Sequence, residues 1–265
     1  AIRRLCLDIE QKQFWAEIDE ICYRASMLGS NMLFRGMANS NYQLVPSIAR
    51  GTNEGVGGDI ESLERDMLSE FKRLTLPTLT SQPTSDFEWL FLAQHYGLPT
   101  RLLDWTTNPM VALFFAVESE DDHDACLHIV KHMVTDDYAD YDYKTADVSE
   151  EAKKRSYALR VFKMQPEQGE VIFIRPKYTD SRYVNQKSIF SCPKNPFEPL
   201  KLENHKILEI KSQWKPFIRD RLKMMGISHS YIYPGIEGVA KEIRKHMYEP
   251  VQMGRHKIIT SRAVM

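Results

Sequence analysis

The chain's residue pattern predicts an α+β fold, a mixed and mainly antiparallel sheet with flanking helices. Three observations predict it. Segments with a 3.6-residue apolar period and short β-branched or aromatic runs follow one another without strict alternation, which disfavours a doubly wound parallel sheet. No motif recurs at a period of 20 to 50 residues, so a repeat architecture is not expected. Two short segments, 87–93 and 110–117, are apolar on nearly every side and can only lie inside a core.

At 265 residues one core with elaborations is expected, so residues 1–265 are read as a single domain. Hydrophobic residues at 43%, with 12 Phe, 12 Tyr and 4 Trp, supply enough bulk for that core and argue against general disorder. No run of 18 apolar residues occurs, and the first residues lack the apolar centre of a signal peptide. A cytoplasmic protein without membrane contact is expected. Cys6, Cys22, Cys126 and Cys192 are widely spaced with no C-x-x-C pair, which favours free thiols over a disulfide framework or a cysteine zinc site. A formal net charge of −1 gives no overall attraction to nucleic acid.

The elements follow in order. An N-terminal helix within 1–29 shows its period over 11–28, where Phe14, Ile18, Ile21, Cys22 and Met27 recur, and stops at Gly29. A strand is expected at 31–34, a polar loop over 37–58 with its tip at 51–59, and an amphipathic helix from Ile60 to Leu74 by the recurrence of Leu63, Met67, Leu68 and Phe71. Ser85 and Glu88 have capping-box spacing for the next helix, which Gly97 and Pro99 end. Asn108 caps its successor, with Pro109 at the first helical position. Beyond it come a strand at 126–130 and a solvated acidic, tyrosine-rich insertion at 131–160. Strands are then expected at 170–175, 184–190 and 207–210, a helix at 216–225, a last strand in Ser230-Tyr231-Ile232-Tyr233-Pro234, a last helix at 236–247 and a tail at 248–265.

Chemistry is expected in the polar block between the two buried helices, where His95, Tyr96, Arg101, Asp104, Thr106 and their neighbours need partners because charge near apolar helices is costly. If residues 100–106 are extended, Thr100, Asp104 and Thr106 share one face, and Arg101 and Trp105 the other. Structural locking of the two helices and a pocket wall are both open readings. Arg35, at the end of the first strand and followed by Gly36, can grip a phosphate or carboxylate bidentately. His123 and His128 among Asp121, Asp122 and Asp124 suggest a solvated loop before a metal cluster. Lys201, Lys206, Lys211, Lys215, Arg219, Arg221 and Lys223, interleaved with Trp214 and Phe217, suggest a charged helix face before a nucleic-acid track. No metal site is expected.

The motifs together carry a resemblance. Phe34-Arg35-Gly36 with Asn39, Tyr42, Leu44, Pro46 and Ser47, followed by Gln94-His95-Tyr96-Gly97-Leu98-Pro99-Thr100-Arg101-Leu102-Leu103-Asp104-Trp105-Thr106 and Asn108-Pro109 leading into Ala112-Leu113-Phe114-Phe115-Ala116, resembles the FRG domain family. Arg182, Gln186 and Phe190 match a third block, and Gly226-Ile227 with Tyr233-Pro234-Gly235-Ile236-Glu237-Gly238 a fourth, so the resemblance spans about residues 30–245. A strand carrying aromatic-Arg-Gly is more distantly similar to the first motif of ADP-ribosyltransferases. That similarity implies NAD as substrate, a macromolecular acceptor (nucleic acid or protein), and a toxin or phage-defence setting. It further implies that Arg35 meets a phosphate, that His95 and Thr106 meet ribose or nicotinamide, and that Asp104 or Gln186 orients a ribose hydroxyl, with Gly36 and Tyr96 also cofactor-binding and Arg101 bracing Asp104. The usual catalytic glutamate has no match at Gln186, and Glu118, Glu170 and Asp104 are the substitutes. The rival reading is a non-catalytic module that recognises a nucleotide, nucleic acid or protein through the same cleft.

Overall fold

The computed structural model describes residues 2–50, 60–79, 81–135, 171–177, 181–193 and 196–249. The first half runs α1 (Ile2–Leu28), β1 (Met32–Met37), α2 (Ile60–Thr75), α3 (Asp86–His95), β2 (Leu103–Thr106), α4 (Pro109–Val117) and β3 (Ala125–Lys131). The second runs β4 (Val134–Thr135), β5 (Val171–Ile174), α5 (Ser181–Gln186), β6 (Ser188–Pro193), β7 (His205–Ile210), α6 (Lys215–Met224), α7 (His229–Ile232) and α8 (Ile236–Ile243), with a π turn at Arg244–Tyr248. The strands form one seven-stranded sheet in the order β4-β5-β6-β2-β1-β3-β7, antiparallel except for the β4–β5 pair. The α+β class with a mixed, mainly antiparallel sheet is therefore observed. The loop tip at 51–59, the greater part of the 131–160 insertion and the tail from 250 onward lie outside the described residues.

Strand alternation divides the core into layers. On one face Leu33 and Met37 of β1, Leu103 and Trp105 of β2, Cys126 and Val130 of β3, Phe173 of β5 and Ile189 of β6 pack together with Leu44 and Leu200. The other face carries two separate clusters. Phe34, Leu127 and Ile129 pack with Phe14 and Ile18 of α1, Leu113 and Phe114 of α4, and Ile218 and Leu222 of α6. Ile172, Ile174, Phe190 and Cys192 pack with Leu68 of α2 and with Phe87, Leu90 and Phe91 of α3. The helical face is thus two half-cores side by side.

Where they meet, the sheet is nearly divided. β1 and β2 share a single register pair, Phe34↔Thr106, whereas β1 pairs with β3 along all six of its residues and β2 with β6 along all four. The full β1–β3 ladder also explains why β1 runs on to Met37 rather than stopping near Phe34, so that Arg35 and Gly36 stand within the strand.

Local signals hold where they were strong. Ser85 accepts from the Glu88 amide and caps α3; Asn108 accepts from the Met110 amide and caps α4 with Pro109 at its first turn. The end of α3 is a Schellman motif, Gly97 N donating to Gln94 O and Leu98 N to Ala93 O. Two expected strands are corrected. Residues 181–186 form α5, and the strand begins only at Ser188 after Lys187 turns the chain at φ 49°. Tyr231 and Ile232 lie in α7, because the Asn185 and Gln186 side-chain amides donate to the carbonyls of Tyr231 and Ile232 at 2.7 and 3.1 Å and hold that turn closed. The first helix starts at Ile2, well before its amphipathic stretch.

Candidate functional site

A cavity of about 280 Å³ opens at the divide between β1 and β2, between the two half-cores. It is lined by Phe34 and Gly36 of β1 with Ala112 and Phe115 of α4, by His95 of α3, Arg182 and Tyr183 of α5 and Phe190 of β6, and by Asp104 and Thr106 of β2. The two segments singled out by the motifs therefore face one another.

Arg35 lines this cavity as well. Alternation sends its side chain from the strand on the face opposite Phe34 and Gly36, beside its β3 partner His128. Its Nη1 donates to the Asp104 carbonyl at 2.5 Å and lies 3.9 Å from the Asp104 carboxylate. Its Nε is buried without a hydrogen-bond partner among the described residues. Burial pulls the guanidinium pKa down, and the Asp104 carboxylate opposes that. A buried donor left unmade costs about 1–3 kcal/mol, which a ligand oxygen or a water can recover.

Several other expected site residues are hydrogen-bonded within the protein. Asp104 Oδ1 accepts from Gln94 Nε2 at 2.8 Å, while Thr100 Oγ1 donates to Gln94 Oε1, so Gln94 joins the end of α3 to the start of β2. Thr106 Oγ1 donates to the Gln186 carbonyl at 2.6 Å and accepts from the Asn108 amide. Gln186 lines the cavity, yet its amide nitrogen is spent on Ile232. His95 also lines the cavity, its ring edge-on to Tyr183 at 5.3 Å, whereas Tyr96 is 71% exposed and stands outside the wall. Gly36 makes a close approach: a Cβ there would lie 1.8 Å from the Ala112 carbonyl oxygen, so β1 and α4 touch backbone to backbone.

Arg101 corrects the expected pairing. It is fully buried and donates Nε to Glu64 of α2 at 2.7 Å, with Nη2 on the same carboxylate oxygen. Arg35, not Arg101, braces Asp104.

In the sequence Glu118 is one of three substitute acids, and Tyr233 enters only as part of the fourth motif block, with no role attached. Glu118 is the C-terminal cap of α4, lines the cavity, and accepts from the Tyr233 hydroxyl with both carboxylate oxygens, at 2.9 and 3.1 Å. Burial pushes the Glu118 pKa up, against the lowering effects of Tyr233, Lys241, Lys245 and Arg182. A carboxylate at a helix C-terminus also meets the negative end of the dipole, so the position is unfavourable for charge twice over. The signal in the sequence is faint: a single acid directly after an apolar helix.

Behind these groups lies a brace. Lys215 is 0% exposed and donates to the carbonyls of Ala38, Ser119 and Glu120 at 2.6, 3.1 and 2.7 Å, tying the end of β1 to the end of α4. Asn39 and Tyr42 both donate to the Glu120 carboxylate, and Ser47 exchanges hydrogen bonds with the backbone of Thr100. The Asn39, Tyr42 and Ser47 positions of the first motif block thus hold together the loops that frame the cavity.

The remaining charged clusters are also internally engaged. Asp121 pairs with Arg219, and Asp124 with Lys211 and the Ser212 amide. Lys206 pairs with Glu17, Lys223 with Glu242, and the Arg221 guanidinium sits 3.9 Å over the Trp15 ring, so most of the basic stretch is neutralised in place.

His128 is buried in the sheet, with Nδ1 2.8 Å from His205 Nε2 and Nε2 3.3 Å from Cys126 Sγ. Burial pulls its pKa down to about 4, as it does for the buried His229. Since an unfolded histidine titrates near 6.5, the unfolded chain binds more protons between those values. The stability these histidines support is complete above about pH 6.5 and is lost as the pH falls through about 4, up to about 3 kcal/mol for each. Urea unfolding at pH 7 and pH 5 should show this loss, and His128→Gln should flatten the slope.

Against known families, residues 30–125 match the family model of the FRG domain. The match contains the first two motif blocks and Glu118; the blocks at 182–190 and 226–240 lie beyond it. No curated protein and no solved structure matches the chain.

Proposed function

We propose that the cavity binds NAD or a related nucleotide and that the protein transfers ADP-ribose from it to a macromolecular acceptor. The observation that carries this reading is the presence in one cavity lining of Arg35, a largely buried guanidinium whose Nε has no hydrogen-bond partner among the described residues, and Glu118, a half-buried carboxylate. Arg35 suits a phosphate oxygen: it is fixed by the Asp104 carbonyl, and its Nε has no partner among the described residues. Glu118 suits a ribose. In the reaction the bond from ribose C1′ to the nicotinamide nitrogen breaks, nicotinamide leaves with the electron pair, and the ribose becomes cationic. The acceptor nucleophile then forms the new bond and releases its proton. A carboxylate held in the cavity wall steadies that cation and orients a ribose hydroxyl.

Of the residues the motifs suggested, Arg35, Asp104 and His95 remain in the site, the last two as polar groups of its lining. Thr106, Gln186 and Gly36 shape it. The size of the cavity, at the small end of ligand sites, suits the reacting half of a dinucleotide.

Incubating the protein with NAD and candidate protein or nucleic-acid acceptors, and following nicotinamide, tests the proposal. Glu118→Gln is expected to lower kcat by about 10²-fold or more with the fold intact, and Arg35→Ala to lower kcat/KM by a similar factor. NAD binding without nicotinamide release under any acceptor would make the cavity a recognition site instead. An absence of both binding and release, with Arg35→Ala indistinguishable from the parent, sinks the nucleotide reading altogether.

A further inference from the structure

Glu118 does not stand alone in the cavity wall. Tyr233 lies 115 positions away, on the turn between α7 and α8, and places its hydroxyl against both oxygens of that carboxylate. One hydroxyl hydrogen shared between two oxygens fixes the plane of the carboxylate as well as its position. The Tyr233 ring is itself held. Arg182 lies 5.1 Å and Lys241 4.5 Å from its centroid, and the rings of Phe114 and Phe115 pack against it at 6.4 Å. Its backbone is fixed too, because a Cβ at Gly238 would lie 1.7 Å from the Tyr233 carbonyl oxygen, so α8 starts in contact with that carbonyl. The residues matched in the fourth motif block, Tyr233-Pro234-Gly235 through Gly238, build this one placement.

We propose that Tyr233 is the positioning residue for Glu118, holding its carboxylate as an oriented anion in the cavity. This deepens the reading of Glu118 as the group that faces the ribose. The physical argument is a balance. Burial and the C-terminal end of α4 both favour a protonated Glu118, and a protonated acid cannot steady a cationic ribose. A hydroxyl donated to both oxygens favours the anion. Cations near the ring face polarise the phenol and strengthen it as a donor. The charged and titratable groups around the pair are Arg182 from α5, Lys241 from α8, Lys245 from the π turn, His229 from α7 and Asp104 from β2. Lys241, Lys245 and Arg182 support the anion. Among the described residues, Tyr233 is the group that contacts it with a hydrogen bond.

Tyr233→Phe tests this, since it keeps the ring and its cation contacts and removes only the hydroxyl. Two measurements are made on the full chain. The first follows the Glu118 carboxyl by ¹³C NMR against pH, assigned with Glu118→Gln; the midpoint is expected to rise by about one pH unit or more in Tyr233→Phe. The second follows nicotinamide release from NAD against pH. The acid limb of kcat/KM is expected to move up by the same amount, so that below it the variant is about tenfold slower, while above it the rates converge. A Glu118 midpoint unchanged in Tyr233→Phe overturns the proposal, as does a shifted midpoint with an unmoved acid limb. A shifted midpoint in a protein that releases no nicotinamide supports the Tyr233–Glu118 pair and refutes the transferase reading, so the two can fail separately. If Tyr233→Phe folds poorly, Lys241→Met offers the same readout from the cation side, with a smaller upward shift expected.

Discussion

Arg101→Met is expected to cost about 3–5 kcal/mol of folding stability, because it strands Glu64 as a buried carboxylate with no counter-charge. Glu64 is 3% exposed, and Arg101 meets one of its oxygens with two N–H groups. Its other oxygen, Oε1, is buried without a partner among the described residues, so this pair is short of hydrogen bonds from the start. That makes it a poor source of net stability and a severe loss when broken. The double substitution Arg101→Met with Glu64→Leu is therefore expected to recover most of the deficit, since two apolar side chains can fill the space without desolvating charge. Urea unfolding of the single and double variants measures both. If Arg101→Met loses less than about 1 kcal/mol, the range for an exposed pair, then α2 does not bury this contact in solution. Under the proposed transferase function, nicotinamide release compared at equal folded fraction should differ little, because neither residue lines the cavity.

The second large effect belongs to Gly36→Ala. A single added methyl would sit 1.8 Å from the Ala112 carbonyl oxygen and 2.6 Å from the Ala116 amide nitrogen, and both are backbone atoms of α4. No rotamer relieves such a contact, so the helix must move off β1. Overpacking usually costs about 1–3 kcal/mol, and with backbone on both sides the upper end or beyond is expected. The displacement would also carry Glu118, at the end of α4, away from Arg35. Loss of stability and loss of site activity should therefore appear together. A variant with parent-like Tm would show that α4 does not lie on β1 this closely.

What the sequence made legible was local. The Ser85 and Asn108 caps, the stop at Gly97 and the two buried helices each depend on residues within a few positions of one another, and each is found. The meeting of the Arg35 strand with the Asp104 strand was also foreseen, from the co-occurrence of two motif blocks. Failures came where distant contacts decide. Tyr231 and Ile232 have strand-like side chains, yet amides from α5, some 46 positions earlier, close them into a helical turn. The partner of Arg101 lies 37 positions before it, on a helix whose apolar period gives no hint that Glu64 faces inward. Glu118 and Tyr233 are farther apart still, and only the folded chain makes a pair of them. A carboxylate's role depends on its surroundings, which spacing alone does not encode.

The single rung between β1 and β2 has a mechanical consequence. Most sheets resist being pulled apart because every neighbouring strand is laced along its length; here the middle seam has one stitch, flanked by two full ladders. Amide protons along that seam should exchange with solvent sooner than those of the β1–β3 ladder. A molecule gripped by Arg35 on one bank and by Ser188 or Tyr183 on the other would staple the halves together. Its binding should then slow exchange at the seam first and raise the unfolding temperature by mass action, giving a way to find ligands that needs no knowledge of the reaction.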